Sequence, residues 1–273
     1  MRIAIPLNPA DTTFKINKAY IDYISQAGYE PIPIVPQNEA IEIAGLCDGL
    51  LLPGGVDIDP IYYGESNWGS FWADSDKDDF ERKLMWAFIN HSKPVFGICR
   101  GFQLIAREYI KHVGNQPVTP ASEELISDRL VFGQDIGQHD APSRFNVWRN
   151  RPHHYIDGRE DLLYGMDDKD IKFMPVNSMH HQYLHVNVEE AVLARTNKVT
   201  PHMRATAWTR RGLTSEEIGV VCEGFVLKGW TASKIAGVQW HPEELKDYGL
   251  LHHFFGKSKN FRGPETATVK AVG

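Results

Sequence analysis

Two short runs of this chain combine residue types that can do chemistry together: Phe96-Gly97-Ile98-Cys99-Arg100-Gly101-Phe102 and Gly237-Val238-Gln239-Trp240-His241-Pro242-Glu243. In the first, an apolar stretch of strand character enters Gly-Ile-Cys-Arg-Gly and leaves as a helical pattern, the arrangement of a nucleophile elbow. A residue at so sharp a turn has a strained backbone and close neighbours, so the flanking positions must be glycine. Cys99 stands at that point. The turn lifts its sulfur out of the sheet, and the free N–H groups at the start of the following helix favour thiolate over thiol. Most free cysteines are small buried hydrophobes. The glycine frame and the strand before it separate Cys99 from Cys47 and Cys222, which lie in apolar stretches without such a frame.

A thiol nucleophile needs a base, and the second run supplies one. Residues 235–240 read as a short buried strand, so His241 emerges at a strand end, where functional groups of parallel sheets collect. Pro242 fixes φ just after it. Glu243 can then turn back to one imidazole nitrogen, set the tautomer and leave the other nitrogen facing the thiol. Any one of the twelve histidines taken alone is an ordinary polar side chain; the strand-His-Pro-Glu setting together with the elbow singles out His241. Cys99, His241 and Glu243 are therefore the expected catalytic residues.

Positioning such groups requires a scaffold, and the first half of the chain alternates strand and helix patterns. Residues 2–7, 31–35, 48–52 and 94–98 read as strands. Residues 14–26, 78–90 and the segment from the elbow to about residue 111 read as helices, with Leu84, Met85, Phe88 and Ile89 on one face of the second. That alternation predicts a parallel sheet covered by helices on both faces. Residues 114–157 lose the pattern and read as a loop-rich excursion over the site. Its Arg144, Arg149 and Arg151 are candidates to pair with a carboxylate on a substrate, and His153 and His154 to border the pocket. Residues 171–176, 191–195, 203–209 and 219–223 read as further, partly antiparallel strands, and the polar tail 256–273 as a mobile appendage to a domain spanning 1–255.

Composition narrows the function classes. A chain of 273 residues, 42% hydrophobic, can bury one large core, and a net charge of −6 without a basic block gives no electrostatic case for nucleic acid or an anionic membrane surface. No run approaches the roughly 18 apolar residues of a membrane span, and residues 1–7 read as a first strand rather than a signal peptide. The three cysteines have neither metal-ligand spacing nor a disulfide framework, which suits a reducing, cytoplasmic setting. His139, His153 and His154 lack the partners of a metal site. No metal and no cofactor is expected.

Taken together, Gly-Ile-Cys-Arg-Gly-Phe-Gln and Gly-Val-Gln-Trp-His-Pro-Glu resemble the class I glutamine amidotransferase superfamily, and within it the γ-glutamyl-γ-aminobutyrate hydrolase-like branch, grouped as C26 peptidases. Supporting segments are Leu52-Pro53-Gly54-Gly55-Val56-Asp57-Ile58-Asp59-Pro60, residues 63–65, residues 74–81 and Val176-Asn177-Ser178-Met179-His180-His181-Gln182. The resemblance spans residues 1–255. It implies an α/β fold, a flavodoxin-like three-layer sandwich with a central, mostly parallel sheet and added antiparallel strands. It also implies an oxyanion hole from the backbone N–H groups of Gly55 and Arg100, and substrate contacts from Gly54, Gln103, Ser178, His180, His181 and Gln182. The chain departs from the family in having Gly54-Gly55-Val56 for a glycine triplet, Lys77-Asp78 for Arg-Asp, and His112-Val113-Gly114-Asn115-Gln116-Pro117 after the elbow helix. These changes bear on the substrate rather than on the chemistry.

The activity implied is a cysteine hydrolase acting on a small-molecule γ-glutamyl amide, alone or as a homo-oligomer. One alternative is a glutaminase subunit that feeds ammonia to a separate synthetase partner; no synthetase segment accompanies the motifs. The other is a binding protein on an inactive hydrolase fold, against which the complete Cys-His-Glu set counts.

Overall fold

Residues 1–10, 12–36, 38–70, 72–114, 130–134, 154–159, 163–164, 170–180, 182–213, 215 and 217–256 are described by a computed structural model. The strands are β1 (Arg2–Pro6), β2 (Asn8–Ala10), β3 (Thr13–Lys15), β4 (Glu30–Ile34), β5 (Gly49–Leu52), β6 (Val95–Ile98), β7 (Leu130–Gly133), β8 (His154–Arg159), β9 (Asp170–Val176), β10 (Tyr183–Val186), β11 (Met203–Thr209), β12 (Val220–Leu227) and β13 (Ile235–Val238). The helices of the first half are α1 (Lys18–Gln26), α2 (Ala40–Leu46), α3 (Ser75–Asn90) and α4 (Arg100–Gly114). Shorter helices at Glu190–Thr196, Pro242–Leu245 and Tyr248–Phe255 follow.

Eleven of the described strands form one sheet, whose main path runs β4-β1-β5-β6-β13-β12-β11-β8-β9, with β10 and β7 attached beyond β12. The pairs from β4 to β13 are parallel, and those from β13 outward are antiparallel. Taken in chain order, the five parallel strands lie 2-1-3-4-5, the flavodoxin-like order in which sites form beyond the carboxyl ends of the strands. The fold expected from sequence is present, and its antiparallel extension begins where β12 pairs with β13.

Alternation along the strands assigns each helix to a face. On β1 and β5, Ala4, Leu50 and Leu52 point into one core with Leu84, Phe88, Phe102, Ile105 and Tyr109 of α3 and α4. Ile3, Ile5 and Leu51 point into the other, against Tyr23 and Ile24 of α1 and Leu251 and Phe255 of the last helix. Among the described residues no helix is long and apolar enough to cross a membrane.

Three sequence expectations change. The helix expected over 14–26 begins at Lys18, because the Asn17 side chain accepts the Ala19 N–H at 3.0 Å and caps it, while Phe14 lies in the β2-β3 hairpin. Residues 191–195, expected as a strand, lie in the helix Glu190–Thr196, which ends on Asn197 at φ 48°. So short an apolar run carries no period that separates strand from helix. The helix α2 was not anticipated. Most of the excursion 114–157, with Arg144, Arg149, Arg151 and His153, and the tail from 257 lie outside the described residues.

Candidate active site

The strand-to-helix turn between β6 and α4 is as sharp as the glycine spacing demands. Cys99 has φ 52°, in the left-handed region that costs a non-glycine residue strain. A Cβ on Gly97 would come within 2.5 Å of the Gly101 backbone, and one on Gly101 within 2.2 Å of the Leu52 carbonyl oxygen, so both positions exclude any side chain. The Cys99 N–H donates to Val238 at 2.9 Å, and the Cys99 carbonyl accepts the Gln103 N–H at 3.1 Å. Gln103 is thus the first residue bonded back into the turn. The N–H groups of residues 100–102 precede that bond, and they present the positive end of α4 beside the sulfur.

His241 follows β13, the strand that pairs in parallel with β6, and caps the helix Pro242–Leu245 with Pro242 in its first turn. Its Nδ1 lies 2.7 Å from Glu243 Oε1, which leaves Nε2 for the sulfur. Both side chains are buried. Burial by itself lowers the imidazole pKa. The charges of Glu243 and Cys99, and a hydrogen bond to each, outweigh that and raise it from 6.5 to about 10. The imidazole is therefore charged at neutral pH beside the Cys99 sulfur. Asn177, at the end of β9, fixes the backbone of His241: its Oδ1 accepts the His241 N–H at 2.9 Å, and its Nδ2 donates to the His241 carbonyl at 3.0 Å.

The loop after β5 brings Gly54 and Gly55 to the same place. A Cβ on Gly54 would lie 2.8 Å from His241 Cε1 and 3.4 Å from Cys99 Cβ. The Gly54 N–H is occupied, donating to Tyr20 Oη at 2.9 Å. Gly55 packs beside Arg100, with which it was expected to share an oxyanion hole; a Cβ there would lie 3.4 Å from Arg100 Cδ and from Lys77 Cε. The Arg100 side chain turns away from the sulfur into a buried cluster on α3, where it pairs with Asp78 and Glu81 while Lys77 also pairs with Glu81. Burial first, and then the Arg100 charge, lower the Lys77 pKa to about 8. Asp78 Oδ2 accepts the Asp59 N–H at 2.9 Å, which ties the loop to the same cluster. Lys77, Asp78 and Glu81 thus brace the base of the elbow, while Asp79 between them pairs with Arg82 and Lys83 at the surface.

Several expected substrate contacts are buried and bonded to one another and to backbone. Gln103 Nε2 donates to the Gln182 carbonyl at 2.8 Å and to Gln239 Oε1 at 3.2 Å. Gln182 is fully buried: it accepts the Ile58 N–H at 3.0 Å and donates to the Ile58 carbonyl at 2.9 Å and to Ser70 Oγ at 2.8 Å, as an extra strand edge would. His180 Nδ1 lies 3.0 Å from the Gln182 carbonyl, and His154 Nε2 lies 3.0 Å from Glu223 Oε1. Ser178 is buried, and His181 lies outside the described residues. Among the described residues no group of three or more His, Cys, Asp or Glu is placed to hold a metal ion.

Sequence reasoning missed Tyr20 and the backbone clamp of Asn177. Tyr20 shares the buried stripe of Tyr23 and Ile24 on α1, which reads as plain core. Only the meeting of α1 with the loop after β5 turns its hydroxyl into a site group. Asn177 lay inside a quoted motif, but its two backbone bonds to residue 241 carry no local signature.

The sequence profile of the peptidase C26 family matches residues 8–243. The γ-glutamyl-γ-aminobutyrate hydrolase PuuD of Escherichia coli K12 is 27% identical over 251 residues, covering 89% of this chain and 84% of that one. Protein NtpR of Enterococcus hirae is 26% identical over 250 residues, covering 87% of each. Among solved structures, the glutaminase domain of Trypanosoma brucei CTPS with bound acivicin superposes with a TM-score of 0.51 at 15% identity, covering 96% of each chain. That likeness is one of fold.

Proposed function

The chain belongs to the peptidase C26 family, and on that premise we propose that it is a cysteine hydrolase that cleaves a γ-glutamyl amide to glutamate and an amine. The observation that carries this reading is Cys99 held on a left-handed turn beside an imidazole that Glu243 keeps charged. The Cys99 thiolate attacks the γ-carbonyl carbon, and the oxygen gathers negative charge. The N–H groups of Gly55 and Arg100 receive that oxyanion. As the C–N bond breaks, the His241 imidazolium donates its proton to the departing nitrogen, leaving a γ-glutamyl thioester and a neutral imidazole. Water then attacks the thioester carbonyl while His241 accepts its proton. The C–S bond breaks, glutamate leaves, and the thiolate-imidazolium pair is restored.

A γ-glutamyl amide as substrate is supported by the relative in Escherichia coli, whose name carries that substrate and whose length this chain largely spans. Purified protein incubated with γ-glutamyl-γ-aminobutyrate, other γ-glutamyl amines and glutamine, with glutamate release scored, tests the reading. At least one γ-glutamyl amine is expected to be cleaved better than glutamine. Inertness toward all of them, with glutaminase activity gained on adding a synthetase, would replace the hydrolase by an ammonia-supplying subunit.

A further inference from the structure

We infer that Tyr20 is a positioning residue of this site: its hydroxyl joins the Gly54 amide to the His241-Glu243 pair, so that the oxyanion loop and the acid-base pair are held by one atom. The inference rests on the hydrolase reading above. Tyr20 comes from α1, an element that carries none of the catalytic motifs. Its ring is buried among the core residues that pack against the sheet, and its Oη emerges where three site segments converge. There it accepts the Gly54 N–H at 2.9 Å and stands 3.3 Å from His241 Nδ1. The charged groups that bear on the hydroxyl are Glu243 and Cys99; after burial itself, their negative charges keep the phenol protonated. With one lone pair taken by the Gly54 N–H and the 3.3 Å contact to Nδ1 beside it, the hydroxyl is satisfied within the site.

Two consequences follow for the chemistry. With the Gly54 N–H committed to Tyr20, the next amide of the loop, that of Gly55, is the one left to meet an oxyanion. The small space around Gly54 also becomes intelligible, since a Cβ there would lie 2.7 Å from Tyr20 Oη and 2.8 Å from His241 Cε1 and would force the bridge apart. Tyr23, one turn further along α1, makes a useful contrast. It is as deeply buried, but its hydroxyl donates to the Asp247 carbonyl at 2.6 Å, away from the elbow.

The experiment compares Tyr20→Phe and Tyr23→Phe with the wild-type protein in two assays, turnover of the best γ-glutamyl amine and the rate of Cys99 alkylation by iodoacetamide. Alkylation needs the thiolate but no oxyanion hole. Tyr20→Phe is expected to lower kcat about tenfold to a hundredfold, as loosening an oxyanion donor does, with KM changed less than about threefold and alkylation within about twofold of wild type. Tyr23→Phe is expected to leave kcat unchanged even if its melting temperature falls. If Tyr20→Phe does not fold, 3,5-difluorotyrosine at position 20 keeps the ring. Its oxygen is a weaker acceptor of the Gly54 N–H, so kcat is expected to fall with alkylation within about twofold of wild type; an unmoved kcat would overturn the inference. A wild-type kcat in folded Tyr20→Phe, or an equal loss in turnover and alkylation, would overturn it alone and leave the hydrolase standing. Inertness of the wild-type protein toward every amide would remove both.

Discussion

Asn177 grips His241 by the backbone from both sides, accepting its N–H at 2.9 Å and donating to its carbonyl at 3.0 Å. The amide side chain thereby acts as a short piece of sheet, linking the end of β9 in the antiparallel extension to the end of β13 in the parallel core. Asn177→Ala would leave the buried His241 N–H unpaired, at a cost of about 1–3 kcal/mol, and leave the His241 carbonyl with only the longer bond from the Glu244 N–H at 3.3 Å. A lowered melting temperature and a fall in kcat larger than the change in KM are expected, since the imidazole loses its seat. Steady-state kinetics at a temperature where the variant is folded checks this; an unchanged kcat would show that Glu243 alone suffices to place the ring.

The three thiols should react very unequally. Burial raises the pKa of Cys47, and it raises that of Cys222 far above the ordinary thiol range. Cys99, beside the charged imidazole, is expected to be alkylated first by limiting iodoacetamide at neutral pH, with the adduct located by mass spectrometry. Preferential labelling of Cys222 would contradict the assignment of the nucleophile.

Loss of the base should cost about as much as loss of the nucleophile. His241→Ala and Cys99→Ala are each expected to abolish measurable turnover, because the two act as a unit. Glu243→Gln is expected to retain more activity, since the amide can still accept from Nδ1 while losing the charge that holds the proton there. Kinetics of the three variants decides it, and a wild-type rate in Glu243→Gln would assign the orienting role elsewhere.

A pKa raised from 6.5 to about 10 has a definite sign in stability. The folded protein binds the His241 proton more tightly than the unfolded chain does. The resulting stabilisation is fully present below about pH 6.5 and is lost as pH rises through about 10. Urea denaturation of wild type and His241→Gln between pH 6 and pH 10.5 is expected to show the wild-type advantage shrinking with pH. An advantage that grows toward high pH would mean that His241 is neutral in the folded state.

Glu81 is the shared anion for two buried cations, Lys77 and Arg100. Removing one partner of a buried pair leaves charge without compensation, at about 3–5 kcal/mol. Glu81→Gln is expected to lose stability on that scale in urea denaturation, and also some kcat, because Arg100 carries one of the proposed oxyanion amides. A neutral outcome would mean that Asp78 compensates by itself.

What the sequence determined is what lies within a few residues of itself. The Gly-x-Cys-x-Gly spacing is legible because the close approach of Gly97 and Gly101 to neighbouring backbone is a steric requirement that no other residue meets. His-Pro-Glu is legible because a fixed φ and a two-residue reach define Glu243 against Nδ1. The parallel strands were readable from apolar runs separated by helix-length patterns. Residues 191–195 were not, for their four apolar positions suit either a strand or the helix they form. Tertiary structure alone decided the rest. Tyr20 looks like core until α1 meets the loop after β5, and the pairing of the Gln182 amide with Ile58 appears only when segments far apart in the chain meet. Lys77, Asp78 and Glu81 look like a solvated first helical turn until Arg100 folds back among them. Each of these depends on contacts between segments far apart in the chain, and local periodicity carries no information about which distant polar group a buried side chain will meet.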